Sequence, residues 1–145
     1  MTTAEEIFAQ VVPQALADAQ RAEAFAPANI ALSKYWGKRD KALNLPLNSS
    51  LSISLGTLGT TTVIDAAVGD KLTFNGTELS TTDPFAAKVW RYVDLFRGVD
   101  GPKLSIETTN TIPTAAGLAS SASGFAALVM SLDRAFNAFG TGVGD

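Results

Sequence analysis

The chain has 145 residues, a length that fits one domain with a single hydrophobic core. Its formal net charge of -3 gives no electrostatic footprint for nucleic acid or for an anionic membrane, so we expect small-molecule partners. The sequence contains no cysteine and no histidine, which excludes disulfides, thiolate chemistry, histidine-based general catalysis and histidine-based zinc sites.

The first segment, residues 4–21, has apolar residues at helical spacing, although Pro13 should break or kink the helix. Glu5 and Glu6, with no continuous apolar run beside them, are not typical of a secretory signal. No segment is long enough to span a bilayer. We therefore predict a helical extension over residues 1–23, packed on the surface of a cytoplasmic protein that has no membrane partner.

Several strands are predicted next. Residues 51–55 alternate leucine and isoleucine with serine, so the serines should form the second face of that strand. Residues 30–35, 61–67 and 71–74 are also predicted as strands. The Asn75-Gly76 pair predicts a tight hairpin turn before a short strand at 77–79.

A helix is predicted to begin after Asp83 as N-cap, with Pro84 in its first position, and to end near Gly98. Its buried stripe should consist of Phe85, Val89, Trp90, Val93 and Phe96, which makes Trp90 a core residue rather than a binding platform. Alternation of Leu104 and Ile106 with polar residues predicts a strand at 103–110. This order of strands, helix, strand and helix indicates a mixed α+β layer structure.

Residues 110–125, NTIPTAAGLASSASGF, place small residues and hydroxyls between this strand and a second helix. Pro113 should close the strand, and apolar residues at helical spacing continue to Phe139, before a predicted cap at Gly140. A helix N-terminus offers unpaired amides and the positive end of the helix dipole to an anion. The small residues allow close approach, and the serines, Ser120, Ser121 and Ser123, offer hydroxyls. The segment therefore predicts a phosphate cradle, with tight helix packing and a serine cap as the alternative.

Two other phosphate-binding motifs are excluded. The only Gly-Lys pair, Gly37-Lys38, is followed by Arg39 instead of serine or threonine, and Leu32 replaces the earlier glycine of a P-loop. No G-x-G-x-x-G run follows a predicted strand.

A second candidate anion site is the KYWGK segment at residues 34–38. If the preceding strand continues, alternation sends Lys34, Trp36 and Lys38 to one face and Tyr35 to the other. A bend at Gly37 would bring both sets to one ligand. Lysine suits phosphate as a compact charge, and tyrosine adds a hydroxyl donor. The alternative is a strand that simply emerges into solvent.

The PTAAGLASSASG segment resembles the phosphate-binding motif P-x-x-x-G-L-x-S-S-A of the galactokinase, homoserine kinase and mevalonate kinase superfamily. The matching residues are Pro113, Gly117, Leu118, Ser120, Ser121 and Ala122. With Ala119 in place of glycine, GLASSA is the form typical of mevalonate diphosphate decarboxylases. APANIALSKYWGKRD at 26–40 and LPLNSSLSISL at 45–55 also resemble this family. The resemblance covers roughly residues 25–139.

The resemblance implies that residues 24–145 form the superfamily's N-terminal ATP-binding domain, a ribosomal protein S5 domain 2-like two-layer α/β sandwich. ATP phosphates would lie against Ser120 and Ser121 and the amides of Ala116, Gly117, Leu118 and Ala119. In the family, the positions matching Tyr35 and Lys38 contact the substrate's diphosphate. The position matching Asn29 helps arrange that pocket, and the one matching Lys34 has a supporting catalytic role near the reacting hydroxyl.

The implied reaction is the ATP-dependent decarboxylation of mevalonate 5-diphosphate to isopentenyl diphosphate, a carboxy-lyase step of the mevalonate pathway of isoprenoid biosynthesis. The tertiary hydroxyl is phosphorylated, and phosphate and carbon dioxide then leave. The implied cofactors are ATP and Mg²⁺, with no metal ligand assigned in the sequence. Such chemistry rests mainly on positioning and charge neutralisation.

Parts of the family's site have no counterpart here. Its Gly-Ser-Gly-Ser-Ala-type loop, its substrate-gripping arginine and its catalytic aspartate lie in a later, C-terminal region, and no acidic residue of this chain matches that aspartate. We therefore expect a fragment or truncated product, poorly active alone. Two alternatives stay open: a relative that phosphorylates mevalonate or decarboxylates its monophosphate, and a non-catalytic nucleotide-binding remnant. A remnant should expose an apolar surface and tend to form homodimers.

Overall fold

The computed structural model describes residues 4–12, 18–34, 36–43, 45–98, 100–112 and 120–138. Its helices are α1 (Ala4–Val11), α2 (Pro84–Arg97) and α3 (Ser120–Phe136). Its strands are β1 (Ala22–Ser33), β2 (Lys38–Asp40), β3 (Leu45–Pro46), β4 (Leu51–Ala66), β5 (Lys71–Phe74), β6 (Thr77–Glu78) and β7 (Leu104–Asn110). Five strands form one sheet in the order β1-β4-β7-β5-β6, and β2 pairs with β3. Neighbours in the sheet are antiparallel except β5 and β7, which are parallel because α2 lies in the connection between them.

One face of this sheet is buried. Ile64 of β4 lies opposite Ile106 of β7, and Leu72 of β5 also faces Ile106, so all three share that face. Helices α2 and α3 bury Val93 and Leu132 in the same core cluster. The predicted α+β layer structure is therefore confirmed as a sheet with two helices against one face. This arrangement is consistent with the S5-like sandwich that the resemblance implies.

The predicted boundaries of the first long strands were wrong. β1 begins at Ala22, eight residues before the predicted start at Ile30, and β4 is one strand where two were expected. The early part of β1 alternates buried alanines, Ala22 to Ala28, with exposed residues, a pattern that alanine's weak hydrophobicity conceals. Pro27 is accepted within it because β1 is an edge strand, where one missing amide donor costs little.

The hairpin and the α2 cap were predicted correctly. Asn75 and Gly76 both have positive φ, 48° and 78°, between the paired residues Phe74 and Thr77. The Asp83 side chain accepts hydrogen bonds from the amides of the second and third residues of α2. The predicted stripe needs one correction: Phe85 is 41% exposed, although it packs edge-on against Phe74.

The two terminal helices end near, but not always at, their predicted positions. α1 ends at Val11, ahead of Pro13, as the proline rule requires. α3 ends at Phe136, where Asn137 takes a left-handed conformation with φ 48°, so the expected continuation to Phe139 was wrong. Phe139 and the predicted cap Gly140 lie outside the described residues. The division between an extension at 1–23 and a domain at 24–145 stays a prediction.

Candidate functional site

The predicted phosphate cradle lies where α3 begins. The helix starts at Ser120, Ser121 is exposed in its first turn, and Ser123 is 3% exposed. The first amides of a helix have no intrahelical acceptor and carry the positive end of its dipole. The predicted cradle residues Ala116, Gly117, Leu118 and Ala119 lie outside the described residues. The described half of the site therefore offers a helix N-terminus with one accessible hydroxyl.

A cavity of about 390 Å³ opens beside this helix start. It lies between the sheet, α2 and α3, and its walls are mainly apolar and aromatic. The lining residues are Thr60, Leu72, Phe74, Leu79, Asp83, Phe85, Val89, Thr108, Asn110, Ser121, Gly124, Phe125 and Leu128. An apolar cleft with a few convergent polar groups is the usual form of a small-molecule site. Ser121 thus belongs both to the helix start and to the wall of the cavity.

Buried hydroxyls connect α3 to the sheet beneath it. Ser123 Oγ lies 2.9 Å from Thr60 Oγ1, and Ser131 Oγ donates a 2.8 Å hydrogen bond to the carbonyl oxygen of Thr62. Thr62 Oγ1 in turn lies 3.1 Å from Thr108 Oγ1. No buried side-chain nitrogen or oxygen in the described part of the chain lacks a hydrogen-bond partner. The contacts of Ser123 and Ser131 fix both the distance and the axial position of α3 relative to β4.

The second predicted anion site is described in part. Asn29 lies on β1 opposite Ser54, Lys34 follows the end of β1, and Lys38 begins β2. All three side chains are exposed, and Tyr35 lies outside the described residues. Because β1 ends at Ser33, the condition for placing Lys34, Trp36 and Lys38 on one face by alternation is not met.

The predicted bend at the second site is present. Gly37 has φ +87°, a conformation that glycine adopts without strain. Its carbonyl oxygen accepts a 3.3 Å hydrogen bond from the Leu47 amide, and the Trp36 amide donates to Asn48 Oδ1 at 3.2 Å. Within the described part of the chain, neither Lys34 nor Lys38 has a carboxylate partner at ion-pair distance. Both positive charges are therefore available to an anion.

Strand pairing brings the two predicted sites to the same end of the sheet. Pro27 of β1 lies opposite Gly59 of β4, and the Gly59 carbonyl accepts a hydrogen bond from Thr111, which immediately follows β7. Asn29 and Lys34 follow Pro27 along the chain, and β1 runs in the same direction as β7 because both are antiparallel to β4. The sequence pattern did not single out Gly59 or Thr111, because pairing between distant strands leaves no local signal.

The strongest charge network of the described structure lies away from this end. Burial alone raises the pKa of Asp70, but hydrogen bonds from Arg97, from the Leu104 amide and from Lys103 lower it from 3.8 to about 2. Burial alone lowers the pKa of Arg97, and its bonds to Asp70 and Asp94 raise it above its ordinary value. These shifts reflect a structural ion-pair network rather than an acid or base for catalysis.

The described structure is a two-layer α+β domain in which a helix N-terminus lies beside an apolar cleft, an arrangement that suits a small-molecule ligand. Residues 26–141 match the family described as diphosphomevalonate decarboxylase-like N-terminal domain. The chain belongs to this family, as the resemblance of its motifs indicated.

Individual relatives agree with this assignment. The diphosphomevalonate decarboxylase of Candida albicans is 44% identical over 126 residues, which cover 77% of this chain and 35% of the relative. The structure of mevalonate diphosphate decarboxylase from Staphylococcus aureus has a TM-score of 0.68 at 38% identity, covering 81% of this chain and 37% of that chain. The sequence thus spans about a third of the length of the relatives it matches.

Two structural neighbours are described with ligands. One is the structure of the mevalonate diphosphate decarboxylase from Enterococcus faecalis, which is described by its mevalonate diphosphate mediated ATP binding mechanism. Its TM-score is 0.61 at 35% identity, and the match covers 86% of this chain and 39% of that chain. Another is MDDEF in complex with MVAPP, AMPPCP and magnesium, with a TM-score of 0.55 at 36% identity over 86% of this chain and 38% of that chain. In the described part of this chain, no helix is long and apolar enough to cross a membrane.

Proposed function

We propose that this chain is the ATP-binding part of a diphosphomevalonate decarboxylase, which converts mevalonate 5-diphosphate to isopentenyl diphosphate. The observation that carries the proposal is the position of Ser121, at the start of α3 and on the wall of the apolar cavity. A helix start suits phosphates, and an apolar cleft suits a nucleoside, so one ligand that carries both fits the arrangement.

Within this proposal, the phosphates of ATP lie against Ser120, Ser121 and the amides of residues 116–119, and the nucleoside enters the cavity. The nearby aromatic walls, Phe74, Phe85 and Phe125, offer apolar surface to a base. The described residues contain no group of three or more acidic, histidine or cysteine side chains suited to a metal ion. Magnesium in nucleotide sites is usually held by phosphates with one or two protein groups, and the Ser121 hydroxyl is our candidate.

The substrate's diphosphate is assigned to Lys38 and Tyr35, with Asn29 and Lys34 beside the reacting end. The exposed ammonium groups of Lys34 and Lys38, which have no carboxylate partner among the described residues, support this assignment. The two lysines would neutralise negative charge while the terminal phosphoryl group moves from ATP to the tertiary hydroxyl. A cytoplasmic location and a homodimer remain parts of the proposal.

Nucleotide binding by the chain tests the first half of this proposal. Isothermal titration with ATP and Mg²⁺ is expected to give saturable binding, and Ser121→Ala is expected to weaken it about tenfold, because a hydroxyl that contacts charged phosphate is lost. Ser105→Ala is the matched control, since Ser105 lies in β7 on the sheet face opposite the cavity. Equal affinity in all three proteins would remove Ser121 from the phosphate site.

Product analysis separates the proposed reaction from its alternatives. With mevalonate 5-diphosphate, ATP and Mg²⁺, we expect little turnover from these 145 residues. A chimera that continues with the corresponding C-terminal part of the Candida albicans relative is expected to release ADP and carbon dioxide in equal amounts. ADP without carbon dioxide would identify a kinase, and no product from the chimera would favour a nucleotide-binding remnant.

A further inference from the structure

Two consecutive residues of β4, Gly59 and Thr60, contact the chain on both sides of the segment that contains the predicted cradle. On the incoming side, the Gly59 carbonyl accepts hydrogen bonds from the Thr111 amide at 2.9 Å and from Thr111 Oγ1 at 3.0 Å. The Gly59 amide also donates to Thr111 Oγ1, at 2.9 Å. The backbone that leaves β7 is therefore joined to Gly59 by three hydrogen bonds.

On the outgoing side, the contact is between side chains. Thr60 Oγ1 and Ser123 Oγ lie 2.9 Å apart and are 1% and 3% exposed. A hydroxyl buried this deeply is costly to leave without a partner, so the pair holds the first turns of α3 in one position relative to β4.

Gly59 has no room for a side chain. A Cβ atom at this residue would overlap the carbonyl oxygen of Ala26 and lie 2.7 Å from Pro27 Cα. The backbone of β4 is thus held against β1 on one side and against Thr111 on the other. The two anchor points of the segment 112–122 therefore rest on a strand that is itself fixed.

We propose that Gly59 and Thr60 form a clasp that fixes both ends of the segment 112–122, with Thr111 and Ser123 as positioning residues for the nucleotide phosphates. The nucleotide role of this clasp rests on the proposed function. Fixing the ends of a loop reduces the conformations open to it. A helix start that is held in one position then binds a ligand with a smaller ordering cost.

The chain supplies a matched control for this proposal. Ser131 is also a buried hydroxyl of α3 bonded to β4, through the Thr62 carbonyl at 2.8 Å, but it lies two turns farther along the helix. Ser123→Ala and Ser131→Ala each remove a buried hydroxyl that is hydrogen-bonded to β4. Only Ser123→Ala releases an end of the segment, so a general loss of stability and a loss of positioning are distinguishable.

Amide hydrogen exchange tests the clasp without any ligand. Ser123→Ala is expected to lower protection about fivefold at residues 124–127 and to leave residues 132–136 unchanged. Ser131→Ala should affect residues 132–136 and spare 124–127. Thr60→Ser keeps the hydroxyl, so its amide protection should equal that of the unmodified protein. The double variant Thr60→Val with Ser123→Ala should lose no more protection at residues 124–127 than either single variant. Uniform loss along α3 in both serine variants would make Ser123 an ordinary packing residue and overturn the proposal.

Nucleotide titration tests the function of the clasp. Ser123→Ala and Thr111→Val are expected to raise the dissociation constant for ATP with Mg²⁺ about fivefold, while Ser131→Ala leaves it unchanged. Neither positioning residue lines the cavity, so direct contact does not explain such a loss. If Ser123→Ala and Thr111→Val bind ATP as tightly as the unmodified protein, the positioning role is rejected, while ATP binding by the chain still stands. If the unmodified protein binds no ATP, the proposed function and the clasp's nucleotide role fail together, and the exchange result alone decides whether the clasp anchors the segment.

Discussion

Arg97 makes the most extensively paired charge contacts of the described residues. Its guanidinium donates to both carboxylate oxygens of Asp70, at 2.7 and 3.0 Å, and to Asp94 at 2.9 Å. It also lies over the Trp90 ring, 5.2 Å from the centroid, and its side chain is only 4% exposed. This one residue therefore joins the end of α2 to the connection between β4 and β5, and it contacts the ring of Trp90, which packs against the core as predicted.

The lowered pKa of Asp70 predicts how stability depends on pH. The charged form stabilises the fold above the ordinary pKa of 3.8, and that contribution is lost as pH falls towards the folded-state value of about 2. The shift corresponds to about 2 kcal/mol before solvent screening, which reduces that value for a partly exposed carboxylate. Urea unfolding of Asp70→Asn should show a loss of about 1–2 kcal/mol at pH 6, because Arg97 also loses a buried partner. The difference in unfolding free energy between variant and unmodified protein should narrow between pH 5 and pH 2.

An exposed ion pair provides the control for this prediction. Arg21 and Asp65 lie 2.7 Å apart, but their side chains are 66% and 41% exposed. Pairs of this kind contribute about 0–1 kcal/mol, so Asp65→Asn should change the urea midpoint little at any pH. A pH-independent difference between Asp70→Asn and the unmodified protein would contradict the assigned role of the Asp70 carboxylate.

Among the elements, β4 determines most of the architecture, since it pairs with both β1 and β7 and its buried hydroxyls hold α3. Gly59 is its most constrained position, because any side chain would meet the β1 backbone. Gly59→Ala is therefore expected to lower the free energy of unfolding by about 3 kcal/mol, as measured by urea denaturation.

Gly69 gives the matched comparison for that change. A Cβ at Gly69 meets no atom within 4 Å, and the residue lies in the connection between β4 and β5. Gly69→Ala should be neutral or slightly stabilising, since it reduces the freedom of the unfolded chain. Similar losses from both substitutions would show that the close approach of β1 and β4 at Gly59 is not rigid.

Local signals in the sequence were sufficient for some elements and insufficient for others. The α2 cap and the Asn75-Gly76 turn were predictable because each depends on residues adjacent in sequence. The single long β4 was not, because the residues on either side of its bulge at 55–58 pair with strands far away in the chain. A helix after the small-residue segment was predictable from the apolar spacing, whereas the cavity beside its start is assembled from β4, β5, β7, α2 and α3.

At the scale of the whole molecule, the sheet extends beyond the helices that cover it. Residues 29–33 of β1 and 51–54 of β4 form a two-stranded ribbon, in which Ile30 lies directly opposite Ile53. Ile30, Ile53 and their neighbours Leu32 and Leu51 are 43%, 54%, 62% and 62% exposed. They continue the sheet face that buries Ala26 and Ala28, so Leu51 and Ile53, predicted as one face of a half-buried strand, are exposed here together with their serines.

This apolar ribbon predicts that the 145-residue chain associates with itself. Ile53→Lys is expected to shift sedimentation velocity towards the monomer, because a charge in the middle of the ribbon opposes its burial. Val68→Lys is the control, since Val68 is a fully exposed apolar residue outside the ribbon. Identical sedimentation of both variants and the unmodified chain would remove the ribbon as the contact surface.

The irregular pairing between β1 and β4 determines where the chain tolerates a change in length. From Pro27 to Asn29, β1 advances two residues, while its partners on β4 run from Gly59 back to Ser54. The extra residues bulge away from the ladder, so an insertion or deletion at 55–58 alters only the size of the bulge. A single residue gained or lost between Gly59 and Thr60 would instead prevent the Gly59–Thr111 and Thr60–Ser123 contacts from forming together. Homologues of different length should therefore differ before Gly59 and keep the two residues of the clasp adjacent.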